Sequence, residues 1–167
     1  MPNVEYRGMQ LIIPDNDMEF RGFYEAAKQG QLVMKKCTAC DLMRYPPGSG
    51  CPWCMSLDWQ WQAVSGKGTI YTYEIIVHAI QAGFREIAPY PVVVVELDEQ
   101  RGVPAEHEGL RLVANLVDEQ FNPEAEEHVA IGKRVEVVFQ TINQDFTLPQ
   151  FKLSNEPPEE AIWQFPS

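Results

Sequence analysis

Two cysteine pairs constrain this chain more than any other feature. Cys37-Thr-Ala-Cys40 and Cys51-Pro-Trp-Cys54 hold all four of its cysteines within one short stretch. A two-residue gap lets both sulfurs of a pair turn toward one point, and two such pairs complete a tetrahedral four-thiolate site. A disulfide framework would spread its cysteines along a secreted chain instead. Thiolates are soft ligands, and Zn2+ accepts tetrahedral sulfur without a geometric penalty. Four protein ligands leave no position open to substrate or to an activated water, so the expected zinc is structural.

Two other uses of the same residues are weighed. A four-sulfur iron site for electron transfer favours glycine just after the second cysteine of each pair, whereas Asp41 and Met55 stand there. Redox exchange at a CxxC pair needs one pair, and two adjacent pairs fit a metal better. The surrounding residues agree, because a module over 32–63 is too short to build much core without a staple. It contributes Tyr45, Trp53, Trp59, Trp61 and a Pro46-Pro47-Gly48 turn.

Upstream, residues 1–31 carry Phe20, Phe23, Tyr24 and Ala27 at helical spacing, which predicts an amphipathic helix over 17–29. Asp15, Asn16 or Asp17 is placed to cap its start, and Gly30 its end. Its aromatic face has two readings, packing within its own domain or docking on a partner through Phe20, Phe23 and Tyr24.

Downstream, over 64–154, the pattern turns β-rich. Strands are expected at 69–78, 92–97, 110–117, 134–142 and 148–153, rich in Val, Ile, Thr and Tyr and separated by turn residues. Five strands suit an oligonucleotide/oligosaccharide-binding (OB) barrel, with a helical turn at 123–131 between the third and fourth. The fold class expected is mainly β: an N-terminal helix, a zinc ribbon, then the barrel. The proline-rich, acidic tail over 155–167 is expected to be mobile or to dock through Ile162, Trp163 and Phe165.

The 167 residues contain no apolar run long enough to span a membrane, and the first ten do not read as a secretory signal. A cytoplasmic protein is expected. A net charge of −11 works against a surface that grips nucleic acid throughout. Basic residues do gather near the first cysteines, at Lys28, Lys35, Lys36 and Arg44.

No Walker loop, dinucleotide fingerprint, HExxH or GxSxG motif is present. His78, at the end of the first barrel strand, is the best placed acid/base candidate, against the simpler reading of a satisfied strand-end histidine. His107 and His128 lie in acidic stretches and read as solvated. The loop over 79–91, with Phe84, Arg85 and Tyr90, reads as a binding loop or a plain β-connection. No catalytic set is visible.

The order helix, CxxC, Pro-Pro turn, CPxC, tryptophan-rich link, SGKGTIYTY, PYPVVVVELDE and IGKRVEVVF resembles a family of acyl-CoA-associated proteins. These carry a rubredoxin-like zinc ribbon followed by an OB-fold and act beside thiolases and thiolase-like aldolases. The resemblance covers roughly residues 20–153. It implies zinc ligation by Cys37, Cys40, Cys51 and Cys54, and an accessory, non-catalytic subunit in a hetero-oligomer with a thiolase-like enzyme. Carbon–carbon bond chemistry on acyl-CoA, of the steroid or lipid side-chain type, is the expected setting. In the 79–91 loop, Phe84 is placed to cover a pantetheine or acyl segment, with Tyr90 as a further ligand-binding residue, while Arg85 meets a phosphate or a partner carboxylate; Lys35, Lys36, Arg44 and Lys67 are rivals for the phosphate. The competing reading is a single-stranded nucleic-acid-binding OB protein, which wants a basic groove with stacking aromatics.

Overall fold

The structure, a computed structural model, describes residues 4–11 and 18–166. The proposed helix caps at 15–17 lie outside the described residues. A small hairpin, β1 (Val4–Tyr6) and β2 (Met9–Leu11), comes first. Its two-residue turn places Arg7 and Gly8 at φ 51° and 71°, the left-handed pair that matches strand twist in a tight hairpin. The sequence reading did not foresee it. Arg-Gly is a weaker turn signal than Asn-Gly, and three-residue strands leave little alternation to read.

Helix α1 (Met18–Ala27) follows, close to the expected span, and Gly30 at φ 71° ends it. Phe23 and Ala27 are buried in the main core. Tyr24 packs on Phe146 with ring centroids 5.0 Å apart, and Phe20 and Phe23 meet Tyr45. Gly22 lies against the Trp61 indole, where a Cβ would come within 2.2 Å of Nε1. The aromatic face of α1 therefore covers the chain's own barrel and ribbon. A side chain buried like Phe23 offers no surface to a partner, which corrects the docking role expected of it, while Phe20 and Tyr24 stay half-buried.

The ribbon is a three-stranded sheet ordered β4 (Met43–Arg44), β3 (Leu32–Cys37), β5 (Trp59–Val64). Strands β3 and β5 pair antiparallel from Leu32↔Val64 to Cys37↔Trp59. Between β3 and α1 lies Lys35, fully buried, bonded to Glu19 and 3.9 Å from the Trp59 ring. A buried ammonium needs a counter-charge and a polarisable face, and this one receives both.

From β5 the chain turns at Ser65-Gly66 into the barrel: β6 (Lys67–Ile76), β7 (Tyr90–Leu97), β8 (Arg111–Asn115), β9 (Arg134–Thr141) and β10 (Thr147–Leu153). The sheet order is β10-β9-β6-β7-β8. A parallel bridge, Leu116↔Phe151, closes it, with the Val117 N–H donating to Phe151 O at 2.8 Å. Strand β6 serves both halves, pairing with β9 through its first residues and with β7 along most of its length, past an irregularity between Ile70 and Thr72. Ile70, Val93, Val95, Leu112, Val135 and Phe151 fill the interior. This is the expected five-stranded OB topology.

A short helix, α2 (Ala82–Arg85), sits in the β6–β7 connection, and a single helical turn at Glu126–His128 precedes β9. The described part of the tail lies on the barrel. Ile131 and Trp163 exchange backbone bonds of 2.8 and 3.0 Å, and the Phe165 N–H donates to the Tyr73 hydroxyl at 2.9 Å. Ile162, Trp163 and Phe165 nonetheless remain half exposed.

Candidate metal centre and binding surfaces

Each cysteine pair forms a tight knuckle. In the first, Cys37 O accepts the Asp41 N–H at 3.0 Å and the Cys37 N–H donates to Leu42 O at 2.9 Å. The second repeats this with Cys51 O to Met55 N–H at 3.0 Å and Cys51 N–H to Ser56 O at 2.9 Å. Asp41 and Met55 adopt φ of 63° and 65°. These are the positions where glycine is favoured, so knuckle geometry is reached without it at the strain an L-residue carries in the left-handed region.

The result is convergence of all four sulfurs, which lie within 4.8 Å of one another. Cys37 Sγ stands 3.6 Å from Cys54 Sγ, and Cys40 Sγ 3.5 Å from Cys51 Sγ, so each close contact joins the two knuckles. None of the four is in a disulfide. Four soft donors around one point, with no fifth group among the described residues, match structural zinc.

The thiols respond to this crowding in opposite directions. Burial would raise the Cys37 pKa, but the backbone N–H groups of Cys40 and Ala39 and the Cys54 thiol outweigh it and lower it to about 6. Burial likewise opposes, and the N–H groups of Cys54 and Trp53 overcome, in Cys51, which is also lowered. At Cys40 the Leu42 N–H lowers the pKa, yet burial and the neighbouring sulfurs push it up to about 12. Cys54 is raised in the same way against the Ser56 N–H. Two thiolates are thus favoured and two disfavoured while protons are the only counter-charge. A divalent cation removes the conflict, because it stabilises all four thiolates together.

The loop residues separate. Phe84 and Tyr90 stack loosely, with centroids 5.3 Å apart, and Tyr6 of the hairpin joins Phe84 at 6.2 Å. With Arg7, Pro91, Leu116 and others they line a crevice of about 10 Å³, room for about one water, so no preformed acyl pocket lies here. Arg85 is exposed and donates to Ile80 O at 3.3 Å, outside that crevice.

The histidines do not assemble a catalytic group with one another. His78 is exposed, His107 Nδ1 meets the Tyr71 hydroxyl at 3.4 Å, and His128 Nδ1 meets Glu124 at 2.8 Å on the surface. Two contacts escaped sequence reading: Arg111 stacked 3.5 Å over the Tyr71 ring, and Gln100 bonded to Met43 across the ribbon–barrel boundary. Both join residues far apart in sequence, and no local motif marks them.

A closed four-cysteine ribbon feeding directly into an OB barrel defines a zinc-ribbon/OB-fold protein. Family models agree segment by segment: the "ChsH2, rubredoxin-like zinc ribbon domain" matches residues 25–60, and the "ChsH2, C-terminal OB-fold domain" matches residues 61–140. A DUF35 domain-containing scaffold protein of Methanocaldococcus jannaschii is 30% identical over 139 residues, covering 83% of this chain and 87% of the relative. The chain belongs to this DUF35 family of ChsH2-like zinc-ribbon and OB-fold proteins.

A probable enoyl-CoA hydratase alpha subunit of Thermomonospora curvata is 37% identical over 130 residues, 78% of this chain. The chain spans only about a third of that relative, 36% of its length. Among solved structures, one described as "Ltp2-ChsH2(DUF35) aldolase" matches with TM-score 0.67 and 35% identity, over 84% of this chain and 98% of the other. A DUF35-family protein of unknown function from Sulfolobus solfataricus shares the fold at TM-score 0.50 and 15% identity, over 83% and 87% of the two chains. The fold and the zinc site follow from the family models and the convergence of the four sulfurs. Among the described residues, no helix is long and apolar enough to cross a membrane.

Proposed function

We propose that this chain docks on a thiolase-like aldolase subunit, binds acyl-CoA there, and supports carbon–carbon bond cleavage or formation without supplying the catalytic groups. A steroid or lipid side chain is the proposed acyl portion. One observation carries the reading: the chain covers nearly the whole length of a subunit described within an Ltp2-ChsH2 aldolase, at 35% identity. The chemistry of this chain supports it. Among the described residues the four cysteines form one sulfur cluster, and His107 and His128 meet a tyrosine hydroxyl and a carboxylate at the surface. Holding an acyl-CoA in a reactive geometry still accelerates a partner's reaction, by removing orientational freedom from the barrier.

The test is reconstitution with a thiolase-like aldolase subunit from the same organism. Size exclusion should show a complex, and retro-aldol cleavage of an acyl-CoA should require both chains. Turnover by this chain alone would refute the reading. The nucleic-acid alternative gains no specific support: the chain carries −11 net charge, and aromatic stacking without a basic groove gives little affinity for a polyanion.

A further inference from the structure

The four sulfurs of the ribbon are not equally sheltered. Cys37 and Cys51, which open the two knuckles, are buried at 0% and 1% exposure, whereas Cys54 is exposed and Cys40 half-buried. The two close sulfur contacts pair them off. Exposed Cys54 lies 3.6 Å from buried Cys37, and half-buried Cys40 lies 3.5 Å from buried Cys51. Each accessible sulfur therefore has a sheltered one directly against it, and both times the sheltered one belongs to the opposite knuckle. Nearby apolar residues give Cys54 no cover, because Met55 and Leu57 themselves stand in solvent. An accessible thiolate with a second cysteine in reach is the arrangement that answers peroxide by forming a disulfide.

We propose that the metal centre is also a peroxide-responsive switch, in which oxidation starts at Cys54 and exchanges the ion for two disulfides across the knuckles, Cys37–Cys54 and Cys40–Cys51. The Cys54 thiolate attacks one oxygen of hydrogen peroxide. The O–O bond breaks, an S–O bond forms, and hydroxide leaves and takes a proton from solvent. The Cys37 thiolate then attacks the Cys54 sulfur; the S–S bond forms as the S–O bond breaks, and a second hydroxide leaves and is protonated. The two sulfurs together lose two electrons, and the peroxide gains them. A second peroxide does the same at Cys40 and Cys51. With no thiolate left, the four sulfurs carry no charge to hold a divalent cation.

Which sulfurs pair decides what the oxidised ribbon becomes. Disulfides within each CxxC would leave the knuckles unlinked, with nothing between them in place of the metal. The cross-knuckle pairs are nested, joining positions 17 and 11 apart, and they fasten the end of β3 to the second knuckle as a bound ion does. Cross-links of that kind restrict the unfolded chain. Strand β4, which lies between them and is tied to the barrel through Gln100, keeps its place. The ribbon thus gives up zinc without coming apart. The switch stands independently of the acyl-CoA reading, since it uses only the four cysteines.

The test is titration of the zinc-loaded full chain with hydrogen peroxide, with a chromogenic chelator reading released zinc and peptide mass spectrometry mapping the cross-links. Zinc should leave in proportion to disulfide formed, and Cys37–Cys54 should appear before Cys40–Cys51. The oxidised chain should stay resistant to protease between β3 and β5, and reductant with added zinc should restore the metal and the thiols. Cys54→His keeps a ligand for zinc but removes the exposed thiolate, so it should slow release by about tenfold or more. Cys37→His removes the partner instead, so sulfenic acid should accumulate at Cys54 and be trapped by dimedone. If either variant fails to load zinc, the cross-link map of the wild-type chain decides alone.

Cys37–Cys40 and Cys51–Cys54 as the major products would overturn the switch, as would undiminished release from zinc-loaded Cys54→His. So would retention of zinc at peroxide concentrations that fully oxidise glutathione in the same mixture.

Discussion

The side-chain amide of Gln100 completes the backbone hydrogen bonding of Met43, accepting its N–H at 2.6 Å and donating to its carbonyl at 2.9 Å. Gln100 follows β7 of the barrel, and Met43 belongs to the edge strand of the ribbon. One buried amide thus stands in for a neighbouring strand and ties the zinc module to the barrel. Gln100→Leu fills similar volume but leaves a buried N–H and a buried C=O unmade. It should destabilise the chain by about 2–4 kcal/mol, read as a lower urea midpoint, and increase hydrogen exchange at Met43. An unchanged midpoint would show that the ribbon needs no such tie.

Zinc should hold the ribbon itself together. Cys37→Ser or Cys51→Ser removes a buried ligand, and structural zinc contributes on the order of 10 kcal/mol of apparent binding energy in small modules. Both variants should lose stoichiometric zinc and become sensitive to protease between β3 and β5. Met55→Gly should act the other way, because Met55 sits at φ 65° with its side chain in solvent. Relief of left-handed strain is worth roughly 1 kcal/mol, so its ribbon should withstand slightly more denaturant, with zinc bound as before.

Phe23→Asp should unfold the chain, whether or not a partner is present. Phe23 is 5% exposed and packs with Met34, Tyr45 and the barrel core. Deleting a buried aromatic costs about 3–5 kcal/mol, and an unpaired carboxylate there adds to it. Loss of the cooperative melt in the isolated chain is the expected result. A folded variant that merely fails to associate would return α1 to the role of docking face.

Acid should weaken the barrel through one ion-pair cluster. Arg134 donates to Asp98 at 2.7 and 2.5 Å and to Glu156 at 3.1 Å. The hydrogen bond from Arg134 holds the Asp98 pKa below its ordinary value, and bonds from Lys67 and then Arg134 do the same for Glu156. Folded pKa values below unfolded ones mean that the folded chain binds fewer protons. The stabilisation is complete above the unfolded values, near 4, and is lost as pH falls through the depressed folded values. Arg134→Gln should therefore lower the urea midpoint most at pH 6, with the difference from wild type shrinking below pH 4.

Sequence made the local features legible and left the crossings hidden. The cysteine spacing announced the knuckles, and Val-rich alternation placed β7 and β9 within a residue or two. Helix periodicity found α1 but not its destination, since Phe20, Phe23 and Tyr24 read alike whether they face a partner or Tyr45 and Phe146. The Arg-Gly hairpin was too short to show a period. Arg44 and Arg111 lie 67 positions apart, and nothing in either neighbourhood says that they line one cleft. The packing of the ribbon on the barrel, seen in the Gln100–Met43 bonds, brings them together.

In the proposed role this chain supports acyl-CoA bond chemistry as a partner, with the catalytic groups on the other subunit. That role is read most directly from the rate of retro-aldol cleavage of an acyl-CoA by this chain, by a thiolase-like aldolase subunit from the same organism, and by their stoichiometric mixture. This chain alone should show no turnover, the two subunits should co-elute, and the mixture should run well above the rate of the partner by itself. Turnover by the isolated chain, or a partner equally active without it, would refute that role.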